Sequence, residues 1–129
     1  MLETLRPLIQ AFVAQQVTLA GMSVHLPGSL PIRLSVVMGN LRMQRMLDSL
    51  IQPGATVVDV GANIGYNTLY AAHCVGAGGR VYALEPAQDN LALLYANIFT
   101  NNLTTVSVLP YAAGGSTETF VRLLVKMLA

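Results

Sequence analysis

The period of the apolar positions changes several times along the chain, and each change predicts an element. Leu5, Leu8, Ile9, Phe12, Val13 and Val17 recur near helical spacing, which predicts a helix over about residues 3 to 18. Pro7 falls in its first turn, where proline is tolerated, and Gly21 follows as a stop. Over residues 23–38 the pattern shortens to two extended pieces, SVHL and IRLSVVM, set apart by Pro27, Gly28 and Pro31. That turn chemistry predicts a β-hairpin. Asn40 is then placed to cap a second helix running to about Ile51, with Leu41, Met43, Met46, Leu47, Leu50 and Ile51 on its apolar face.

Pro53 and Gly54 turn the chain into TVVDV, where β-branched residues flank a single carboxylate, Asp59. Gly61 and Gly65 bracket a turn, residues 64–75 have helical spacing, and Gly76, Gly78 and Gly79 end that helix. Residues 80–84 form a second strand closed by Glu85. Pro86 opens another helix, with Leu91, Leu94, Tyr95, Ile98 and Phe99 on one face and Asn101 and Asn102 at its end. Residues 104–109 are strongly β-forming and predict a third strand. In the tail, residues 117–129, TFVRLLV could form a strand, but Phe120, Leu123, Leu124, Met127 and Leu128 match helical spacing, and a helix is the expectation. Strand, turn, helix, strand is the order of a βαβ unit, so the fold class is α/β with a parallel sheet. Residues 1–39 read as an N-terminal helix and hairpin extension, and residues 40–129 as the cofactor-binding part of the fold.

Composition narrows the function classes. The chain of 129 residues is 53% hydrophobic and only 10% charged, and its formal net charge of +1 gives no electrostatic case for nucleic acid. One cysteine, Cys74, excludes an intrachain disulfide and a Cys-rich metal site. His25 and His73 have no partner at metal-ligand spacing, so no metal is expected. No apolar run approaches the ~18 residues of a membrane span, and no basic segment precedes an apolar core at the N-terminus. A cytoplasmic location is the expectation.

The turn after the first strand is where chemistry concentrates. A dinucleotide fingerprint needs glycine at three positions, G-x-G-x-x-G, so that backbone can approach a pyrophosphate. Starting from Gly61, the second and third of these are Asn63 and Tyr66, which argues against an NAD-linked oxidoreductase. A phosphate loop is absent from the sequence altogether. S-adenosyl-L-methionine suits the residues better, because it lacks a pyrophosphate and offers an ammonium, a carboxylate, a sulfonium and a ribose diol. Asp59 can attract the ammonium. The N–H groups opening the next helix favour the carboxylate. Glu85, about 24 residues after Gly61 and close to the ~20 typical of a ribose-binding acid, can accept from both ribose hydroxyls.

VVDVGANIGYNT, VYALEP, the helix ending ANIFTNN, and VSVLPYAAG together resemble the FkbM-type S-adenosylmethionine-dependent methyltransferases. The resemblance covers about residues 40 to 115. It implies a Rossmann-like, class I methyltransferase sheet, doubly wound, of which the chain supplies the N-terminal half. It also implies Asp59, Gly61, Asn63, Gly65, Asn67 and Glu85 around the cofactor, with Thr68 a weaker candidate. The implied activity is methyl transfer to an oxygen or nitrogen nucleophile of a small-molecule or glycan-type acceptor. No residue stands out as a general base, and none is named as catalytic. The family sheet has seven strands with the first one central. Three strands would leave that strand as an exposed apolar edge open to association, as in a fragment of a methyltransferase. A non-catalytic remnant or cofactor-binding module is the other reading.

Overall fold

The computed structural model describes residues 15–115. The order of elements is β1 (Gln16–Leu19), β2 (Met22–His25), α1 (Leu30–Leu50), β3 (Thr56–Val60), α2 (Tyr66–Val75), β4 (Arg80–Leu84), α3 (Gln88–Thr100) and β5 (Val106–Leu109). β1 and β2 form an antiparallel hairpin, and β3, β4 and β5 form a parallel sheet in that order. The sheet and its two crossover helices follow the sequence expectation closely. The part before it does not.

Where a helix is expected to reach residue 18, β1 begins at Gln16, and the rest of that expectation, residues 1–14, lies outside the described residues. The hairpin falls earlier than expected, with Leu19 paired to Met22 across a two-residue turn. Ala20 at φ 48° and Gly21 at φ 80° are both left-handed, the geometry that matches the twist of a tight hairpin. Gly21 therefore turns a hairpin and does not stop a helix. IRLSVVM is helical, because Pro31 sits in the first turn of α1, where its missing N–H costs nothing. Val36, Val37, Asn40, Met43 and Leu47, buried or half-buried, then recur along its inner face at helical period. Asn40 lies in mid-helix without a capping role, its Nδ2 donating to the Val36 carbonyl at 2.7 Å. The tail helix expected over residues 117–129 falls outside the described residues.

β-α-β crossovers are right-handed, so α2 and α3 lie on the same face of the sheet. Ala71, Ala72 and Val75 of α2 pack on Val81 and Val57, and Leu94 of α3 packs on Ala83 and Val108. Val17, Leu19, Val24 and Leu26 of the hairpin join Val37, Tyr66 and Leu69 in a second layer beside the start of α2. The opposite sheet face is open, with Val58 59% and Val60 61% exposed beside half-exposed Tyr82 and Leu109. Among the described residues β3 is paired on one side only, by β4. Among them, too, no helix is long and apolar enough to cross a membrane.

A polar staple joins α1 to α2. Asp48 Oδ1 accepts from the Tyr70 hydroxyl at 2.8 Å and from the Cys74 thiol at 3.7 Å. That bond to Asp48, with lesser help from burial and charge, pushes the Tyr70 phenol up to about 12. The folded value exceeds the unfolded value of about 10, so the staple contributes fully below pH ~10 and fades as pH rises through about 12. The stability difference between wild type and Tyr70→Phe is expected to be flat to pH ~10 and then to shrink. A phenolate absorbance titration in which Tyr70 ionises at the free-tyrosine value of about 10 would contradict this.

Candidate functional site

The C-terminal ends of β3 and β4 converge on residues 61–65. Gly61 at φ 79°, Asn63 at φ 54° and Gly65 at φ 93° alternate left-handed backbone with ordinary backbone, folding the chain tightly from strand into helix. Hydrogen bonds from outside the turn fix this path. Gly61 and Ala62 both donate to the Leu84 carbonyl at 2.9 Å, and Gly65 donates to Ala62 at 2.9 Å. The Asn63 N–H donates to Glu85 Oε2 at 2.8 Å, and the Ala87 N–H donates to Oε1 at 2.8 Å. Glu85, only 5% exposed, thus clamps the turn after β3 to the segment after β4.

Asp59 is the last inward-facing residue of β3. Its Oδ2 accepts from the hydroxyl of the fully buried Thr68 at 2.6 Å, which fixes the carboxylate and leaves Oδ1 without that partner. Gly65 precedes α2 with no side chain to cap the helix. The first N–H groups of α2 have no acceptor within the helix and carry the positive end of its dipole. Gln44 of α1 reaches the Tyr66 hydroxyl at 3.5 Å, and burial, opposed by that contact, raises the Tyr66 phenol above its ordinary value.

Two adjoining clefts open here. One, of about 300 Å3, lies between α1 and the turn and is lined by Val36, Asn40, Gly61, Asn63, Tyr66 and Asn67. The other, of about 270 Å3, runs along β3 past Met43, Leu47, Asp59, Gly61 and Asn67. Gly61 and Asn67 belong to both. A Cβ on Gly61 would meet nothing within 4 Å, so the backbone there faces open space. Asn67 Oδ1 is buried with no hydrogen-bond partner, an acceptor in want of a donor. A wider depression, about 620 Å3, lies on α3 between Tyr95, Phe99 and Leu103. It is almost wholly apolar and touches none of these groups, so chemistry assigns the site to the smaller pair.

Of the residues expected from sequence, Asp59, Gly61, Asn63 and Asn67 line the clefts, and Glu85 joins them through Asn63. Gly65 does not line either. It is buried where a Cβ would meet Leu94 Cδ1 at 2.6 Å. Asn40, which the sequence marks only as a helix cap, lines a cleft, and Thr68 orients Asp59. Among the described residues no group of three or more His, Cys, Asp or Glu is placed to hold a metal.

The family model described as methyltransferase FkbM domain matches residues 59–126, just over half of the chain. The protein-L-isoaspartate O-methyltransferase of Aeropyrum pernix is 52% identical over 44 residues, which make up 34% of this chain and 16% of that protein. Among solved structures, P. horikoshii TYW2 in complex with MeSAdo matches with a TM-score of 0.58 and 21% identity, over 75% of this chain and 35% of its own. M. jannaschii TYW2 in complex with AdoMet gives a TM-score of 0.56 and 25% identity, over 73% and 41%. The chain therefore spans well under half the length of these relatives. The likeness extends the fold class to a Rossmann-like methyltransferase sheet.

Proposed function

The chain belongs to the methyltransferase FkbM domain family, and from that premise we propose that the paired clefts bind S-adenosyl-L-methionine for methyl transfer to an oxygen or nitrogen nucleophile. Bound there, the cofactor supplies a methyl group on a cationic sulfur, ready for in-line displacement. The Glu85 carboxylate carries the reading. It has about four acceptor positions, and the two backbone N–H groups it holds leave two for a diol such as ribose. The residues fit the rest of the cofactor as well. Asp59, oriented by Thr68, suits an ammonium, and the start of α2 suits a carboxylate. The unpartnered Asn67 Oδ1 accepts one further N–H or O–H. Gly61 leaves room for a ligand against the main chain.

The part played by this chain is to bind and orient. Three left-handed residues and the Glu85 clamp set the cleft wall before a ligand arrives, so little conformational freedom is lost on binding. The acceptor is proposed to be a small molecule or glycan-type compound, consistent with the low net charge. An oxygen nucleophile agrees with the reaction in the name of the A. pernix relative.

Calorimetric titration with S-adenosyl-L-methionine, S-adenosylhomocysteine and NAD tests the ligand class. Saturable binding of the first two and none of NAD is expected. Saturable binding of NAD alone would overturn the proposal.

A further inference from the structure

Asn97 and Asn101 stand one helical turn apart at the end of α3 and meet the outer edge of the hairpin. Asn101 Oδ1 accepts from the Ser23 N–H at 2.8 Å and its Nδ2 donates to the Ser23 carbonyl at 2.7 Å. Asn97 Oδ1 accepts from the His25 N–H at 2.7 Å and its Nδ2 donates to the His25 carbonyl at 3.3 Å. The match is geometric. Four helical residues rise about 6 Å, and two strand residues about 6.8 Å. In a hairpin closed at Leu19 and Met22, Ser23 and His25 direct their N–H and C=O groups away from β1. Two side-chain amides thus stand in for a missing neighbour strand.

Asn97 does something Asn101 does not. Its Nδ2 also donates to the Ile64 carbonyl at 2.8 Å, within the left-handed turn and directly after Asn63. Asn97 is 1% exposed, so water does not compete for this bond. The turn is then held on two sides, by Glu85 at the Asn63 N–H and by Asn97 at the Ile64 carbonyl.

We propose that Asn97 is a positioning residue for the ligand-binding turn, and that through it the β1–β2 hairpin helps to set the geometry of the cleft. Its effect on binding rests on the S-adenosyl-L-methionine reading given above. Its effect on the turn does not. Asn101 provides the matched control, because it clamps the same hairpin without touching the turn.

The experiment compares full-chain Asn97→Ala, Asn97→Asp and Asn101→Ala at equal fraction folded. Asn97→Asp keeps the acceptor for His25 but loses the donor to Ile64, so it stands in if Asn97→Ala fails to fold. Two readouts are taken: the dissociation constant for S-adenosylhomocysteine by calorimetry, and amide hydrogen exchange at Asn63 and Gly65. Either Asn97 variant is expected to weaken binding about tenfold relative to Asn101→Ala and to speed exchange at Asn63 and Gly65. Asn101→Ala should speed exchange only at the hairpin. Equal effects of the Asn97 and Asn101 variants on turn exchange would overturn the proposal and leave Asn97 a structural clamp. Failure of wild type to bind S-adenosylhomocysteine would instead refute the ligand reading, with the exchange data still deciding the role of Asn97.

Discussion

Glu85→Ala is expected to abolish detectable S-adenosyl-L-methionine binding and to destabilise the fold by roughly 2–4 kcal/mol, since two charge-assisted backbone bonds are lost. Both carboxylate oxygens hold N–H groups, of Asn63 and Ala87, in a pocket that leaves Glu85 only 5% exposed. Alanine orphans both donors and frees the turn from its clamp. Glu85→Gln is not a mild change here. An amide has one acceptor oxygen, so its NH2 group must face one of the two N–H donors. The glutamine variant should therefore lose about half of the stability lost by alanine, roughly 1–2 kcal/mol. Thermal melts and calorimetric titration check both effects. An unchanged melting temperature in Glu85→Ala would show that the clamp has no energetic weight. An unchanged affinity at equal fraction folded would move the ligand site elsewhere.

How far these groups were legible in the sequence depends on what kind of mark each leaves. β3 is a β-branched run and β4 a short mostly apolar one, both bounded by glycine and proline, and the sequence marks both at their observed limits. Asp59 and Glu85 followed, because a residue at a strand's end is placed once the strand is. The hairpin is misplaced by the sequence because Ala20-Gly21 lacks the Asn or Asp that usually marks such a turn. Val17 also continued the helical spacing of the residues before it. Pro31 looked like a break, although a first-turn proline is compatible with a helix. The β-branched run after it looks extended until Met43 and Leu47 are counted with Val36 and Val37. Hydrogen bonds to backbone leave no residue signature at the far end. Neither the Glu85 clamp on Asn63 nor the reach of Asn97 to Ile64, 33 residues away, could be read from spacing.

The two glycines that bracket the turn look equivalent in sequence, yet their substitution should separate folding from binding. Gly65→Ala is expected to destabilise by roughly 3–5 kcal/mol, the sum of left-handed backbone strain and overpacking. Its Cβ would come within 2.6 Å of Leu94 Cδ1 and 3.3 Å of Leu69 Cδ1, and both leucines are fully buried. Neither can swing into solvent to make room. Gly61→Ala meets nothing within 4 Å, so it should cost only the strain of φ 79°, about 1–2 kcal/mol. Its methyl group, however, enters the space proposed for the ligand, and affinity should fall by more than stability does. Denaturant melts of both variants, with titration of Gly61→Ala, read out the contrast. The Gly65–Leu94 clash has its own check. Gly65→Ala combined with Leu94→Ala should lose less stability than the two single variants together, because trimming Leu94 removes the atom in the way. Strict additivity in that cycle would mean that backbone strain alone excludes a side chain at position 65.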